Sequence, residues 1–289
     1  MPILFTISRK GNDFFCTADK GEPFFVGRRV PYDGNIGLYN IFAKSPLQKL
    51  DYKADDFTTA FGFWARFIEP TARCEGRNFL TLNTYDRAAF TFGFGQFAAH
   101  VPEGDFVSYF RRLLNLPDAK DYFPHLALQG GHIVQSEAGH VVPLEDAHST
   151  AALMKYLNPD LSEVQDSEVI AAAKFIHWNS HSEPARAAQV AQMTATFHGF
   201  MRRADKRVGI DGRPASQCCV IADLLHHGRG GSMLWPLVEA ALHSNDPLDE
   251  LLDIGSVKWK ERCKTLEAAI KDTPEMATRH WSRAQDDFV

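Results

Sequence analysis

The hydrophobic period changes once along this chain, and that change constrains the fold more than any other feature. Over the first thirty residues short apolar runs alternate with turns: Ile3, Phe5 and Ile7, then Phe14-Phe15-Cys16-Thr17, then Phe24-Phe25-Val26. Lys10-Gly11-Asn12-Asp13 and Asp19-Lys20-Gly21-Glu22 separate the runs, which predicts a small antiparallel meander. Pro31-Tyr32-Asp33-Gly34 breaks the pattern. From there three-four spacing dominates, so the expectation is a short β-rich appendage over residues 1–34 and a mainly helical domain over 35–289.

Asp55-Asp56 opens a predicted helix with apolar positions Phe57, Phe61, Trp64, Ala65 and Ile68, which Pro70 interrupts or restarts. A short β-like run lies at Ala89-Phe90-Thr91-Phe92, and a helix is expected from Phe106 to Leu114. His132–Gln135 and His140–Pro143, around Ser136-Glu137-Ala138-Gly139, form a candidate hairpin in which His132 and His140 could face one another. Further helices are expected at about 146–157, 163–179, 184–207, 215–227, 231–243, 247–253, 256–271 and 274–284. No repeat or linker tract divides them. The fold class expected is therefore mainly α with a β component (α+β).

Composition excludes several function classes. With 45% apolar and 23% charged residues the chain is neither disordered nor of low complexity, and no apolar run approaches the length of a membrane helix. A formal charge of −5 argues against a general nucleic-acid binder. The start, Met1 to Lys10, lacks a basic segment ahead of an apolar stretch, so synthesis in the cytoplasm without a signal peptide is expected. Cys16, Cys74, Cys218, Cys219 and Cys263 contain no CxxC pair and are expected to be buried thiols. Phe is the outlier, at 22 residues against 7 Tyr and 5 Trp. These rings concentrate in the meander and between Phe57 and Phe110.

One segment carries chemistry. Cys74-Glu75-Gly76-Arg77 is followed by Thr84-Tyr85-Asp86-Arg87 and then by Thr91-Phe92-Gly93-Phe94-Gly95-Gln96. A helix delivers a glutamate, and an aspartate and a glycine-containing β turn come after it. Glycosidic cleavage needs one protonated carboxyl for the leaving oxygen and commonly a second, ionised group. An apolar lining of phenylalanines is what would keep Glu75 protonated. Gly93 and Gly95 would let a sugar lie close to the backbone, with Tyr85, Phe94 and Gln96 as groove contacts.

Over residues 69–97 the chain resembles the lysozyme-like superfamily of goose-type and phage-type muramidases and lytic transglycosylases. There a helix-borne glutamate precedes an x-G-x-x-Q or T-x-G-x-G motif, and Thr91 to Gln96 resembles a blend of the two. The resemblance implies a lysozyme-like helical domain with a small sheet. It implies Glu75 as general acid, Asp86 as partner carboxylate or water orienter, and Thr91 as water or substrate positioner. No cofactor or metal is implied. Glu69, which ends an apolar helix before Pro70, is a rival acid. Glu103, Asp105 or Glu137 would have to reach in were Asp86 not the partner. The implied substrate is peptidoglycan or a related β-1,4 aminosugar polymer, including chitosan or chitin. A muramidase lacking a signal peptide suits a phage lysis enzyme or a toxin injected by a secretion apparatus. It would act in the periplasm or cell wall, with a secretion carrier and an immunity protein as partners. A non-catalytic glycan-binding or structural module is the alternative of a different class.

The remaining motifs weigh less. Gly93 to Ala98 matches G-x-G-x-x-A, but Pro102 cuts the helix that should follow. His177 and His181 stand at i, i+4 without the glutamate of a zinc-binding H-E-x-x-H, and His226-His227 fit a helix end. Ala222 to Gly230 could supply a groove wall for anionic sugar substituents, or simply cap a helix. Val257 to Trp281 reads as an amphipathic helix with a solvated charged face.

Overall fold

In a computed structural model every residue except Ala138 is described, together with the side chains of all but Glu137. The chain opens with β1 (Phe5–Lys10), β2 (Asp13–Ala18), β3 (Phe24–Tyr32) and β4 (Asn35–Tyr39). A single 3-10 turn at Ala54–Asp56 leads to α1 (Thr58–Phe61) and α2 (Phe63–Cys74). Three two-residue strands follow: β5 (Leu82–Asn83), β6 (Thr91–Phe92) and β7 (Phe97–Ala98). Next come α3 (Asp105–Leu114), α4 (Ala119–Tyr122), β8 (Leu126–Gln129), β9 (His132–Glu137) and β10 (His140–Pro143). Then the chain is helical: α5 (Ala151–Leu157), α6 (Asp166–His181), α7 (Glu183–Val208), α8 (Ala215–His227), α9 (Leu234–Leu242), α10 (Pro247–Asp253), α11 (Lys260–Lys271) and α12 (Glu275–Thr278). It ends in β11 (Trp281–Ser282) and β12 (Asp287–Phe288). The protein is mixed α+β.

The residues form two compact units, neither of them bounded at residue 34. The first contains Met1–Asp51 and Asn78–Gln192, and the second contains Tyr52–Arg77 and Met193–Val289.

In the first unit the expected meander is the larger part of a seven-stranded antiparallel sheet, ordered β1 through β7. Ile7 faces Cys16 across β1–β2, and a bulge at Phe14/Phe15 shifts the β2–β3 register. The link to the short strands is one backbone pairing, Tyr39 with Asn83, reinforced by a buried amide. Asn40 donates to Leu80 O at 2.8 Å and accepts from Leu82 N at 2.8 Å. It supplies hydrogen bonds that a two-residue strand is too short to make. A second sheet, β8–β9–β10, is antiparallel. Its register sets His140 opposite Glu137 and His132 opposite Gln129, so the two histidines do not face each other.

Much of the phenylalanine excess is explained by one ring. Phe175 on α6 lies 5.0 Å from Phe110, 5.3 Å from Phe92, 5.4 Å from Phe90 and Phe123, and 5.6 Å from Phe106, centre to centre. The rings meet tilted or edge-on, the arrangement their quadrupoles favour. Lacking a polar handle, all of them are buried.

The second unit packs α2 against α8 and α11. Its aromatic centre is Trp64, Phe67, Trp281 and Phe288, with Phe67 and Phe288 4.5 Å apart. The helix predicted to break at Pro70 breaks instead at Gly62, where φ is +55°, and Pro70 lies inside α2. Residues 274–284 are not one helix: α12 stops at Thr278 and the chain turns extended into the β11–β12 pair. The helix expected from 146 starts at Ala151, because Asp146 Oδ1 accepts from His148 N and Ser149 N and holds a turn.

One buried carboxyl in the first unit has no cation within ion-pair distance among the described residues. Glu168, at the third position of α6, completes a capping box with Gln165 and accepts a very short hydrogen bond from Thr84 Oγ1. Thr84 Oγ1 in turn accepts from Leu38 N at 2.6 Å. Burial pushes the Glu168 carboxyl up from 4.5 to about 7, the nearby charge of Asp160 acts the same way, and the hydrogen bonds oppose it. A folded-state value above the unfolded one means stabilisation that is complete at or below about pH 4.5 and lost as pH rises to about 7. The shift corresponds to about 3 kcal/mol. Chemical denaturation of the wild type and of Glu168→Gln across pH 4–8 should show a wild-type decline over that window that the variant lacks. Parallel curves would refute the assignment.

Candidate functional site

The sequence-derived site residues are divided between the units. Glu75 and Glu69 belong to the second, and Asp86, Thr91, Tyr85, Phe94 and Gln96 to the first.

In the second unit Glu75 is the C-cap of α2. The expected apolar lining is not what its carboxylate meets. Glu75 Oε1 accepts from Arg262 Nη1 at 2.7 Å and lies 3.8 Å from His226 Nε2. Arg262 continues to Asp223, donating through Nη2 to Oδ1 at 2.7 Å and through Nε to Oδ2 at 3.2 Å. Arg229 Nη2 reaches Asp223 Oδ2 at 2.7 Å, and Arg229 Nη1 lies 3.0 Å from Cys263 Sγ. Asp223 and Arg229 are wholly buried side chains. Burial pushes the Asp223 carboxyl up, but the two guanidiniums outweigh it and hold it below its ordinary value. Glu69 is also tied to cations, accepting from Arg73 Nη2 at 3.0 Å and Arg77 Nη2 at 3.4 Å.

In the first unit the β5–β6 connection carries Tyr85 and Asp86. Asn158 Nδ2 donates to Thr84 O at 2.9 Å and Ala89 O at 3.0 Å, so one buried amide holds both ends of this loop. Asp86 Oδ1 accepts from Ala88 N at 2.9 Å, closing a tight turn. The half-buried ring of Tyr85 sits 5.0 Å from that of Tyr32 and 5.8 Å from that of Tyr39. Tyr32 is 58% exposed, so the three make an aromatic surface beside Asp86. Thr91 on β6 is buried and pairs across the ladder with Asn83 on β5. Thr91 Oγ1 and Asn83 Oδ1 are both buried without a hydrogen-bond partner among the described residues. Two such oxygens on adjacent strands cost about 1–3 kcal/mol each, and groups of this kind are kept where they serve something other than stability.

The glycine turn has a different purpose from the one expected. Gly93 has φ +87°, and a Cβ there would lie 2.2 Å from Gln189 Oε1. The bare backbone admits a buried amide of α7, not a sugar. Gln189 Oε1 accepts from Phe94 N at 3.1 Å, and its Nε2 donates to Phe79 O and Asn179 Oδ1. Phe94 is fully buried between Phe79 and Phe97, a core ring rather than a groove contact. Gln96 turns back, donating to Gly93 O at 3.1 Å. After Gly95 comes strand β7, so the G-x-G-x-x-A match opens no helix. The Glu137 side chain lies outside the described residues.

Two further clusters are assembled by the fold. Glu103, His132 and Glu145 bring their ligand atoms within 4.8 Å of one another. Arg111 stands among them, 2.7 Å from each glutamate and 3.1 Å from His132 Nδ1, and supplies the positive charge the cluster needs. Asp105 accepts from Gln192 at 3.2 Å. His177 and His181 stack at 4.1 Å, and His177 Nδ1 meets Tyr122 Oη at 3.0 Å. Burial, with His181 adding to it, pushes the His177 imidazole down to about 4. All five cysteines are free, and burial pushes Cys16 and Cys74 up to about 12. The Glu75–Arg262 pair leaves no local signal, since 187 residues separate the two.

The Asp223 network makes a clear prediction. Asp223→Asn removes the anion shared by two arginines, one of them wholly buried, and should destabilise the protein by about 3–5 kcal/mol. Urea denaturation would measure this, and a change below about 1 kcal/mol would contradict the role given to Asp223.

Searches against protein-family models, curated proteins and solved structures find no match to this chain.

Proposed function

We propose that this protein is a lysozyme-like glycoside hydrolase that cleaves the β-1,4 bonds of peptidoglycan or a related aminosugar polymer. The observation that carries the reading is the β5–β6 hairpin. It sets the Tyr85 ring, flanked by Tyr32 and Tyr39, beside the Asp86 carboxylate, and leaves Asn83 Oδ1 and Thr91 Oγ1 unpaired. Aromatic faces stack on sugar rings, and a carboxylate with neighbouring hydroxyl and amide groups is the equipment of glycosidic cleavage. The chain order supports it too: a helix ending in Glu75, then three short strands, then α3.

In this reading Asp86 orients or activates water, Thr91 holds a water at its buried hydroxyl, and Tyr85 stacks on a sugar ring, while Gln96, turned back onto Gly93 O, only shapes the turn. Glu75 acts at the leaving oxygen once its carboxylate parts from Arg262. Attachment to arginines favours one alternative, a non-catalytic glycan-binding module, because Glu75 and Glu69 are both engaged as ion-pair acceptors. A lytic transglycosylase, in which a single carboxyl acts without a base, is the neighbouring enzymatic reading. Delivery as a phage lysis enzyme or a secreted toxin belongs to the same proposal.

Digestion of purified cell walls tests it. The wild type should release soluble muropeptides, Glu75→Gln should lose at least a hundredfold in rate with the fold intact, and Asp86→Asn at least tenfold. Mass spectra separate reducing ends, from hydrolysis, from anhydro ends. Wild-type protein that binds walls and releases nothing would establish the module instead. Undiminished digestion by Glu75→Gln would remove that residue from the mechanism.

A further inference from the structure

The geometry points to a binding site for a phosphate-bearing anion on the second unit, formed by the last turns of α7 and by α9. Arg202, Arg203, Lys206 and Arg207 lie on neighbouring positions of α7, and with Trp235 they line an open cavity of about 560 Å³. A second cavity of about 500 Å³ shares Arg202 and Lys206 and adds Asp205, Trp281, Arg283 and Asp286. In a chain of net charge −5 this is a local reversal of sign.

The two acids of the second cavity are already neutralised. Asp205 accepts from Arg283 Nε at 2.6 Å, and Asp286 is held by Arg202 through Nε at 2.8 Å and a shorter contact from Nη2. Arg203, Lys206 and Arg207 are exposed, and among the described residues none has a carboxylate within ion-pair distance. Complementing the helix dipole accounts for cations in the last turn, Lys206 and Arg207. It does not account for Arg203 a turn earlier, whose guanidinium sits 5.4 Å over the half-buried Trp235 ring.

Three unpaired cations at i, i+3 and i+4 suit charges a few ångströms apart, which an oligophosphate has and a single carboxylate lacks. Guanidinium forks match phosphate oxygens in pairs. Trp235 offers a flat apolar face beside them, so the phosphate groups come either from bare oligophosphate or from a nucleotide whose base packs on the ring. The cavity is within the size range of small-ligand sites.

Calorimetric titration at about 150 mM salt with tripolyphosphate, ATP and adenosine tests the site under physiological screening. Tripolyphosphate and ATP should each saturate with Kd below about 1 mM, and adenosine should not bind. Arg203→Gln/Arg207→Gln should weaken both ligands at least tenfold, whereas Arg203→Lys/Arg207→Lys, which keeps the charges but loses the forks, should fall between that variant and the wild type. Equal affinities for the two ligands identify oligophosphate as the ligand. Tighter ATP binding, with the advantage lost in Trp235→Leu, identifies a nucleotide. Absence of saturation by either anion, or binding that survives the charge-removing double variant, overturns the proposal. The exposed positions leave the fold intact, which an unchanged unfolding midpoint would verify. Wall digestion is not part of this readout, so the site stands or falls apart from the hydrolase reading.

Discussion

Asp223 is a carboxylate buried among the helices of the second unit, and its two arginines decide most of what surrounds it. A buried charge without a partner is prohibitive, so Arg229 is drawn wholly inside and Arg262 is held at its edge. Arg262 then has one amino group left, and Glu75 at the end of α2 takes it. One anion on α8 thereby fixes α11 and the end of α2, and it also aims Arg262 at the glutamate the sequence singles out. The proposed acid is thus embedded in the framework that holds its unit together.

The same rule recurs with other residues. Glu145 is buried against Arg111 and the Ile133 amide, and the partly buried Glu69 is paired with Arg73 and Arg77. Glu168 departs from it: its neighbours are a threonine hydroxyl and a backbone amide, and its carboxyl is pushed up where the others are held down or paired. The difference follows from whether hydrogen bonds alone or a full positive charge offset desolvation. Asp86 stands outside both cases, on a surface turn beside three tyrosines, and is free of any arginine among its described hydrogen bonds. That freedom is why the hairpin, rather than the helix glutamate, carries the functional reading.

Legibility in the sequence follows the range of the interaction. The meander, α3, α8, α10 and the β9–β10 pairing were visible because period-two and period-3.6 patterns and turn residues act over a few positions. Strands β5, β6 and β7 are two residues each; only β6 lies in a run the sequence marks as β-like, at Ala89 to Phe92, and β5 is received by Asn40 and the β4 edge and in turn carries β6 and β7. The sequence places the break at Pro70, yet Gly62 takes it, because its φ of +55° is a backbone conformation that glycine adopts without the steric cost other residues meet, while Pro70 is accommodated inside α2. Of the two rings that the sequence offers as groove contacts, Tyr85 is half-buried beside Tyr32 and Tyr39, while Phe94 is core. Alternation alone does not distinguish a ring facing a groove from one facing another ring.

By itself the sequence determined that this is an α+β protein with an N-terminal antiparallel meander, a phenylalanine-rich interior and one segment where carboxylates, a threonine and glycines crowd together. Tertiary structure alone decided how those residues are used. It gave Gly93 to the Gln189 amide, Glu75 to Arg262, and the four clustered cations of α7 to an open surface cavity. The reason is that burial and charge pairing depend on residues a hundred or more positions away. Local pattern states which atoms need partners but not where the partners come from.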